Sequence, residues 1–148
     1  MKSAILLFPG LLFFTFIAVG QTPVYQPKGI AIHGYDPVSY FDENKPVIGN
    51  AMNSLEWNGA TWAFATNDNL QKFKLNPEKY APQYGGYCAF GASKGYLAET
   101  DPHAFTVVDG KLYLNYSLDV RTEWMKDIKE RIRKADNNWE TKLKLNVK

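Results

Sequence analysis

Asn58-Gly59 constrains this chain more than any other pair of residues. The dipeptide tolerates positive φ at both central positions of a type I′ turn, whose twist matches that of the strands it joins. It is flanked by Leu55-Glu56-Trp57 and Ala60-Thr61-Trp62-Ala63-Phe64. A two-residue loop fixes the register: Trp57 opposes Ala60, Glu56 opposes Thr61 and Leu55 opposes Trp62. Leu55, Trp57, Trp62 and Phe64 then share one face, with Glu56 and Thr61 paired on the other. Turn chemistry and hydrophobic pattern agree, and a β-hairpin is expected.

The rest of the chain is read against that hairpin. Asp109-Gly110 predicts a second one, with Phe105 and Val107 facing Leu114 and Leu112. Thr66 is an N-cap opening a helix over 67–75, which Pro77 ends, and Pro77 to Tyr80 can start another turn. Asp36-Pro37 suggests a short helical turn, and Asn44 to Asn53 reads as a loop punctuated by Pro46 and Gly49. After Ser117, the apolar positions Val120, Trp124, Ile128, Ile132, Ala135, Trp139 and Leu143 recur every three or four residues, predicting one long amphipathic helix. Tyr84 to Gly91 has no assignable period, and no internal repeat is apparent. Hairpins and helices are segregated along the chain, so the expected class is α+β: two β-hairpins packed with short helices and one long C-terminal amphipathic helix.

Residues 1–20 read as a signal peptide. Lys2 precedes an uncharged run from Ala4 to Val19, and Ala18-Val19-Gly20 offers small residues where a signal peptidase reads. The run falls short of the roughly 20 residues needed to span a bilayer. The expectation is an exported protein, periplasmic or secreted, that is not membrane-embedded once mature. Residues 21–35, with Pro23 and Pro27, read as an extended lead-in, and 36–148 as a single domain. The chain has 17 basic and 15 acidic residues, and losing Lys2 leaves the mature form near +1. That balance gives no electrostatic case for nucleic acid.

The stretch from Trp57 to Phe64, followed by a helix closing on Phe73-Lys74-Leu75-Asn76-Pro77-Glu78-Lys79-Tyr80, resembles the YHS domain. Asp36-Pro37-Val38 is similar to that family's upstream D-P-V-C element. The resemblance implies an α+β scaffold and a role in metal handling through cysteines, soft ligands that select Cu(I) or Zn(II). In this chain the expected cysteine positions hold Ser39, Ala65 and Asn69, none of which supplies a thiolate.

Cys88 is the only cysteine, and His33 and His103 are the only imidazoles. Cys88 with a histidine suits Cu(I) in low coordination, or Zn(II) if Asp36 joins, copper being the first choice. A lone cysteine is otherwise a small buried hydrophobe, and either histidine an ordinary turn residue. A thiol hydrolase built on Cys88 lacks any local signature, so the expectation is a binding protein and not an enzyme. The alternative is a non-metal module for a small molecule or protein, using the segment 80–96. There Tyr84, Tyr87 and Tyr96 surround Gly85-Gly86, and adjacent glycines permit close approach to a ligand. Plain core packing by these tyrosines is the competing reading.

Overall fold

The computed structural model describes residues 22–147, so the leader expected over 1–20 lies outside the described residues. The architecture is α+β. β1 (Asn50–Trp57) pairs antiparallel with β2 (Ala60–Phe64), placing Trp57 against Ala60, Glu56 against Thr61 and Leu55 against Trp62. β1 begins inside the segment expected to be a loop. Its register shifts between Asn50 and Ser54, and such a bulge breaks the alternation by which a strand is recognised. Before the hairpin stands α1 (Ser39–Asp42). After it comes α2 (Asn67–Leu75), where the Thr66 hydroxyl accepts from the Asn69 amide at 3.1 Å. α3 (Pro77–Tyr80) follows, capped by Asn76.

The second hairpin pairs β3 (Asp101–Val108) with β4 (Lys111–Asn115), Phe105 facing Leu114 and Val107 facing Leu112 as expected. It is preceded by α4 (Ala89–Lys94), which takes up part of the segment that periodicity left open. α5 (Leu118–Met125) and α6 (Ile128–Thr141) then replace the single long C-terminal helix expected. The break falls at Asp127, whose φ of −144° and ψ of 56° leave helical geometry. The apolar stripe runs unbroken through it because the two pieces cover different partners: α5 packs on the second hairpin, α6 on α4. A three-to-four spacing records burial and cannot report that change of partner.

The lead-in differs from expectation as well. Residues 21–35 include two short 3₁₀ turns, Pro27–Gly29 and Ala31–Gly34, and contribute Val24, Ala31 and Ile32 to the core. One apolar cluster gathers these with Trp62, Phe64, Phe73, Leu112 and Leu114. A second gathers Tyr84, Tyr113, Trp124, Ala135, Trp139 and Leu143. β4 is the wall between them, sending Leu112 and Leu114 to one side and Tyr113 to the other.

The two hairpins belong to two copies of one structural unit. β1 and β3 are eight residues long, β2 and β4 five. Adding 51 to a first-unit number gives its counterpart: Asn58-Gly59 becomes Asp109-Gly110, and the cap Thr66 becomes the cap Ser117. The bulges coincide, at Asn50/Ser54 and Asp101/Phe105. Met52 N donates to Asn50 Oδ1 at 2.9 Å, and His103 N to Asp101 Oδ1 at 2.8 Å. Trp62 packs on Phe73 at 5.2 Å and 32°, Tyr113 on Trp124 at 5.2 Å and 38°.

The likeness extends upstream at an offset of 52. Ile32-His33-Gly34 and Tyr84-Gly85-Gly86 are both left-handed at all three residues, and each is followed by an extended tyrosine, Tyr35 or Tyr87. Asp36 N then donates to Val47 O at 2.8 Å, and Cys88 N to Ala98 O at 3.0 Å. The repeat absent from the sequence is thus present in the backbone. Little survives in residue identity beyond Gly-Tyr, the Asx-Gly turns and the hydroxyl caps.

Candidate ligand-binding site

Asp36 is fully buried, and its carboxylate organises the first unit. Oδ1 accepts from Val38 N at 2.8 Å, while Oδ2 accepts from Ala65 N at 2.9 Å and Asn69 Nδ2 at 2.7 Å. The Ser39 hydroxyl donates to the Asp36 carbonyl at 2.7 Å. Ser39, Ala65 and Asn69 are the positions where the YHS resemblance implies cysteines, and all three close on this one aspartate. A carboxylate accepting three hydrogen bonds stitches together segments that thiolates would otherwise bring to a metal. Serine, alanine and an amide already engaged offer no soft donor, so these residues do not fit the metal implied by the resemblance.

Cys88 occupies the matching place in the second unit. It is 2 % exposed and caps α4, its sulfur accepting from Gly91 N at 3.5 Å. The thiol faces Asn115 Oδ1 at 3.7 Å, and that oxygen also accepts from Phe90 N at 3.0 Å. The Phe90 bond fixes which way the amide points and leaves Asn115 Nδ2 buried without a partner. His33 Nε2 lies 3.0 Å from Thr100 O and 3.4 Å from Tyr25 OH. His103 Nδ1 lies 3.1 Å from Asp101 Oδ1, at the exposed bulge that opens β3.

Cys88, His33, His103 and Asp36 are therefore not assembled as expected. Among the described residues, no group of three or more His, Cys, Asp or Glu side chains is arranged to hold a metal ion. The donor atoms of each candidate are already engaged: those of Cys88, His103 and Asp36 within their own units, and that of His33 with Tyr25 and with Thr100 of the second unit.

The alternative set fares differently. Tyr84 and Gly85 line a cavity of about 490 Å³, whereas Gly86, Tyr87 and Tyr96 are not among its lining residues. The glycines serve the fold: a Cβ on Gly85 would stand 1.8 Å from Pro23 O, and Gly85 O accepts from Tyr25 N at 2.8 Å. They admit the lead-in, not a ligand. Tyr87 packs on Tyr25 with ring centres 5.4 Å apart, and Tyr96 is largely exposed.

The cavity lies where the lead-in, the first hairpin, α3, the start of the second unit and α6 meet. Trp57, Trp62, Tyr84 and Trp139 supply aromatic surface, and Asn58, Glu78 and Gln83 supply polar groups. Each wall is fixed from behind. Trp62 Nε1 donates to Trp57 O at 3.0 Å, Asn58 Nδ2 to Thr22 O at 2.6 Å, and Tyr84 OH to Asp136 Oδ1 at 2.9 Å. Burial, then the bond to Asp136, holds the Tyr84 phenol far above the usual tyrosine range, so it stays a neutral donor. Trp57 and Trp62 were legible in the sequence as a hairpin face, and Trp139 as a helix stripe. No sequence signal brings the three together.

Residues 38–84 match the model of the YHS domain. The chain contains a YHS domain. The match runs from the start of α1 to Tyr84, so it takes in the first unit's hairpin, its helix and α3 but begins two residues after Asp36. The second unit, with Cys88, lies almost wholly beyond the matched YHS residues. The YHS family is generally associated with metal handling. No curated protein and no solved structure matches it. No helix among the described residues is long and apolar enough to cross a membrane.

Proposed function

We propose that this protein is an exported YHS-domain binding module, and that it takes a small organic ligand in the aromatic cleft between its two units. The observation carrying this reading is the cleft itself. Its volume falls within the roughly 300–1,000 Å³ usual for small-molecule sites, with aromatic walls and a few placed polar groups. It also lies at a junction between structural units, where such sites concentrate. Export rests on the basic start, uncharged run and small-residue triplet of residues 1–20. Binding without chemistry rests on the commitment of Cys88, both histidines and Asp36 to hydrogen bonds within the fold.

Three of the four tryptophans, Trp57, Trp62 and Trp139, line the cleft, while Trp124 lies buried in the second cluster. Tryptophan emission of the chain from Gln21 onward therefore reports occupancy. A fragment collection is expected to yield ligands that shift the emission of the parent and of Trp124→Phe but not of Trp139→Leu. A collection that leaves the cleft tryptophans unmoved would overturn the reading. Anaerobic Cu(I) titration tests the metal alternative. Submicromolar binding lost in Cys88→Ala would restore Cys88 and copper as the functional pair; equal binding by the two forms would remove it.

A further inference from the structure

We infer that the cleft selects organic cations: a protonated amine or quaternary ammonium on a small apolar or aromatic body. This inference rests on the cleft being a ligand site and adds the charge of the occupant. Four aromatic side chains border the space, and the electron-rich face of an indole or phenol attracts a cation within about 6 Å of its centre. The single charged residue among the lining is Glu78, an exposed carboxylate in the first turn of α3. A second carboxylate, Asp136, stands directly behind Tyr84 and accepts a 2.9 Å hydrogen bond from its phenolic hydroxyl. That bond polarises the phenol and places further negative charge behind the wall.

The charge pattern matters because the protein as a whole is almost neutral, so no general field would draw a cation in. Among the described residues, no lysine or arginine lines the cleft. The nearest basic neighbour in sequence, Lys79, instead lies over the Tyr80 ring at 4.8 Å. An anionic ligand would meet the Glu78 carboxylate, with Asp136 behind the wall, and no counter-charge in the lining. A neutral one would gain from the rings but leave Glu78 unused. The remaining polar groups, Asn58 and Gln83, suit a hydroxyl or amide elsewhere on the same ligand.

A charge series on one ring isolates the claim. Tyramine, 3-(4-hydroxyphenyl)propionamide and 3-(4-hydroxyphenyl)propionate share a hydroxyphenyl body and differ as cation, neutral and anion. Titrated against tryptophan emission and ¹⁵N-detected shifts at pH 7, tyramine is expected to bind about tenfold more tightly than the amide, with the anion weakest. Glu78→Gln, an exposed change that leaves the fold intact, is expected to remove most of that preference while sparing the amide. If the amide or propionate equals tyramine at the cleft, or a neutral sugar such as methyl glucoside outbinds it, cation selection fails and the cleft reading survives. If the whole fragment collection leaves the cleft unperturbed, both fall together. A preference that persists undiminished in Glu78→Gln and in Trp57→Leu would also overturn the inference, since the cation would then be held elsewhere.

Discussion

The two units of this molecule share a backbone and differ in what sits at its centre. In the first, the buried Asp36 side chain has both oxygens engaged, drawing Val38, Ala65 and Asn69 onto one carboxyl group. In the second, Cys88 holds the equivalent place with a weak donor and acceptor, and its partner Asn115 keeps an unpaired Nδ2. Trp124, counterpart of Phe73, likewise buries an indole N–H without a partner. The same fold is thus tightly satisfied in one copy and loosely satisfied in the other. The centre of the unit evidently needs something that ties α1 or α4 to the end of a hairpin, and two unrelated side chains meet that need.

The sharpest way to break this comparison is to delete both centres. Asp36→Ala strands three donors at once, two of them buried, and orphaned buried polar groups cost roughly 1–3 kcal/mol each. A loss of about 4 kcal/mol or more is expected, enough to unfold many domains of this size. Cys88→Ala removes a small buried group with weak hydrogen bonds, and about 1–2 kcal/mol is expected. Urea titrations of both variants check the order. Equal losses would show that the carboxylate is not the stronger tie.

The aromatic pairs offer an intermediate test. Phe73→Leu and Trp124→Phe both shrink the ring that packs 5.2 Å from its hairpin partner. Phe73→Leu gives up area and ring contact, and about 1–2 kcal/mol is expected. Trp124→Phe also deletes the unpartnered indole N–H, which offsets part of its lost volume, so a loss below about 1 kcal/mol is expected. Thermal unfolding followed by circular dichroism separates the two. A larger loss at Trp124 would mean that its N–H is satisfied, by a buried water for example, and the second unit is not the looser one.

How far the sequence led depends on the range over which its signals act. Asn58-Gly59 and Asp109-Gly110 determine both hairpin registers because a two-residue turn leaves no freedom, and Thr66 and Ser117 mark helix starts because capping is local. The α5–α6 break escaped because burial continued through it on a new partner. The duplication escaped because the units keep dihedral angles and hydrogen bonds while exchanging side chains: His33 for Gly85, Asp36 for Cys88, Phe64 for Asn115. The site was the least legible part. Cys88, His33, His103 and Asp36 stood out by residue type, yet chemistry-bearing residues in a small fold are often consumed by the fold. The cleft joins Trp57, Glu78, Tyr84 and Trp139, far apart in the chain and individually unremarkable there.

The helix caps predict equality where the centres predict difference. Thr66 Oγ1 accepts from Asn69 N at 3.1 Å and Ser117 Oγ from Val120 N at 3.2 Å, both in extended N-cap geometry. Thr66→Ala and Ser117→Ala should each cost about 1 kcal/mol. A difference between them beyond about 0.5 kcal/mol would show that the two units are not equivalent even in their local backbone bonds.

The smallest effect is one of pH, and it falls at the end of the second unit and on α6. On α6 the Arg133 guanidinium hydrogen-bonds Glu130, and together with Lys134 pulls that carboxyl down to about 2. The Lys126 ammonium, with Arg131, likewise lowers Glu123 at the end of α5. A carboxylate depressed in the folded state stabilises fully above its ordinary value near 4.5, and that contribution fades as pH falls toward the depressed one. Both groups are solvent-exposed, so salt screens them and the effect is slight. Acidification from pH 5 to pH 2.5 should therefore loosen the α5–α6 region more than α2. Amide exchange resolved by residue checks this, with Glu130→Gln expected to flatten the response of α6 alone. An equal response in α2 would place the acid-sensitive group in the first unit instead.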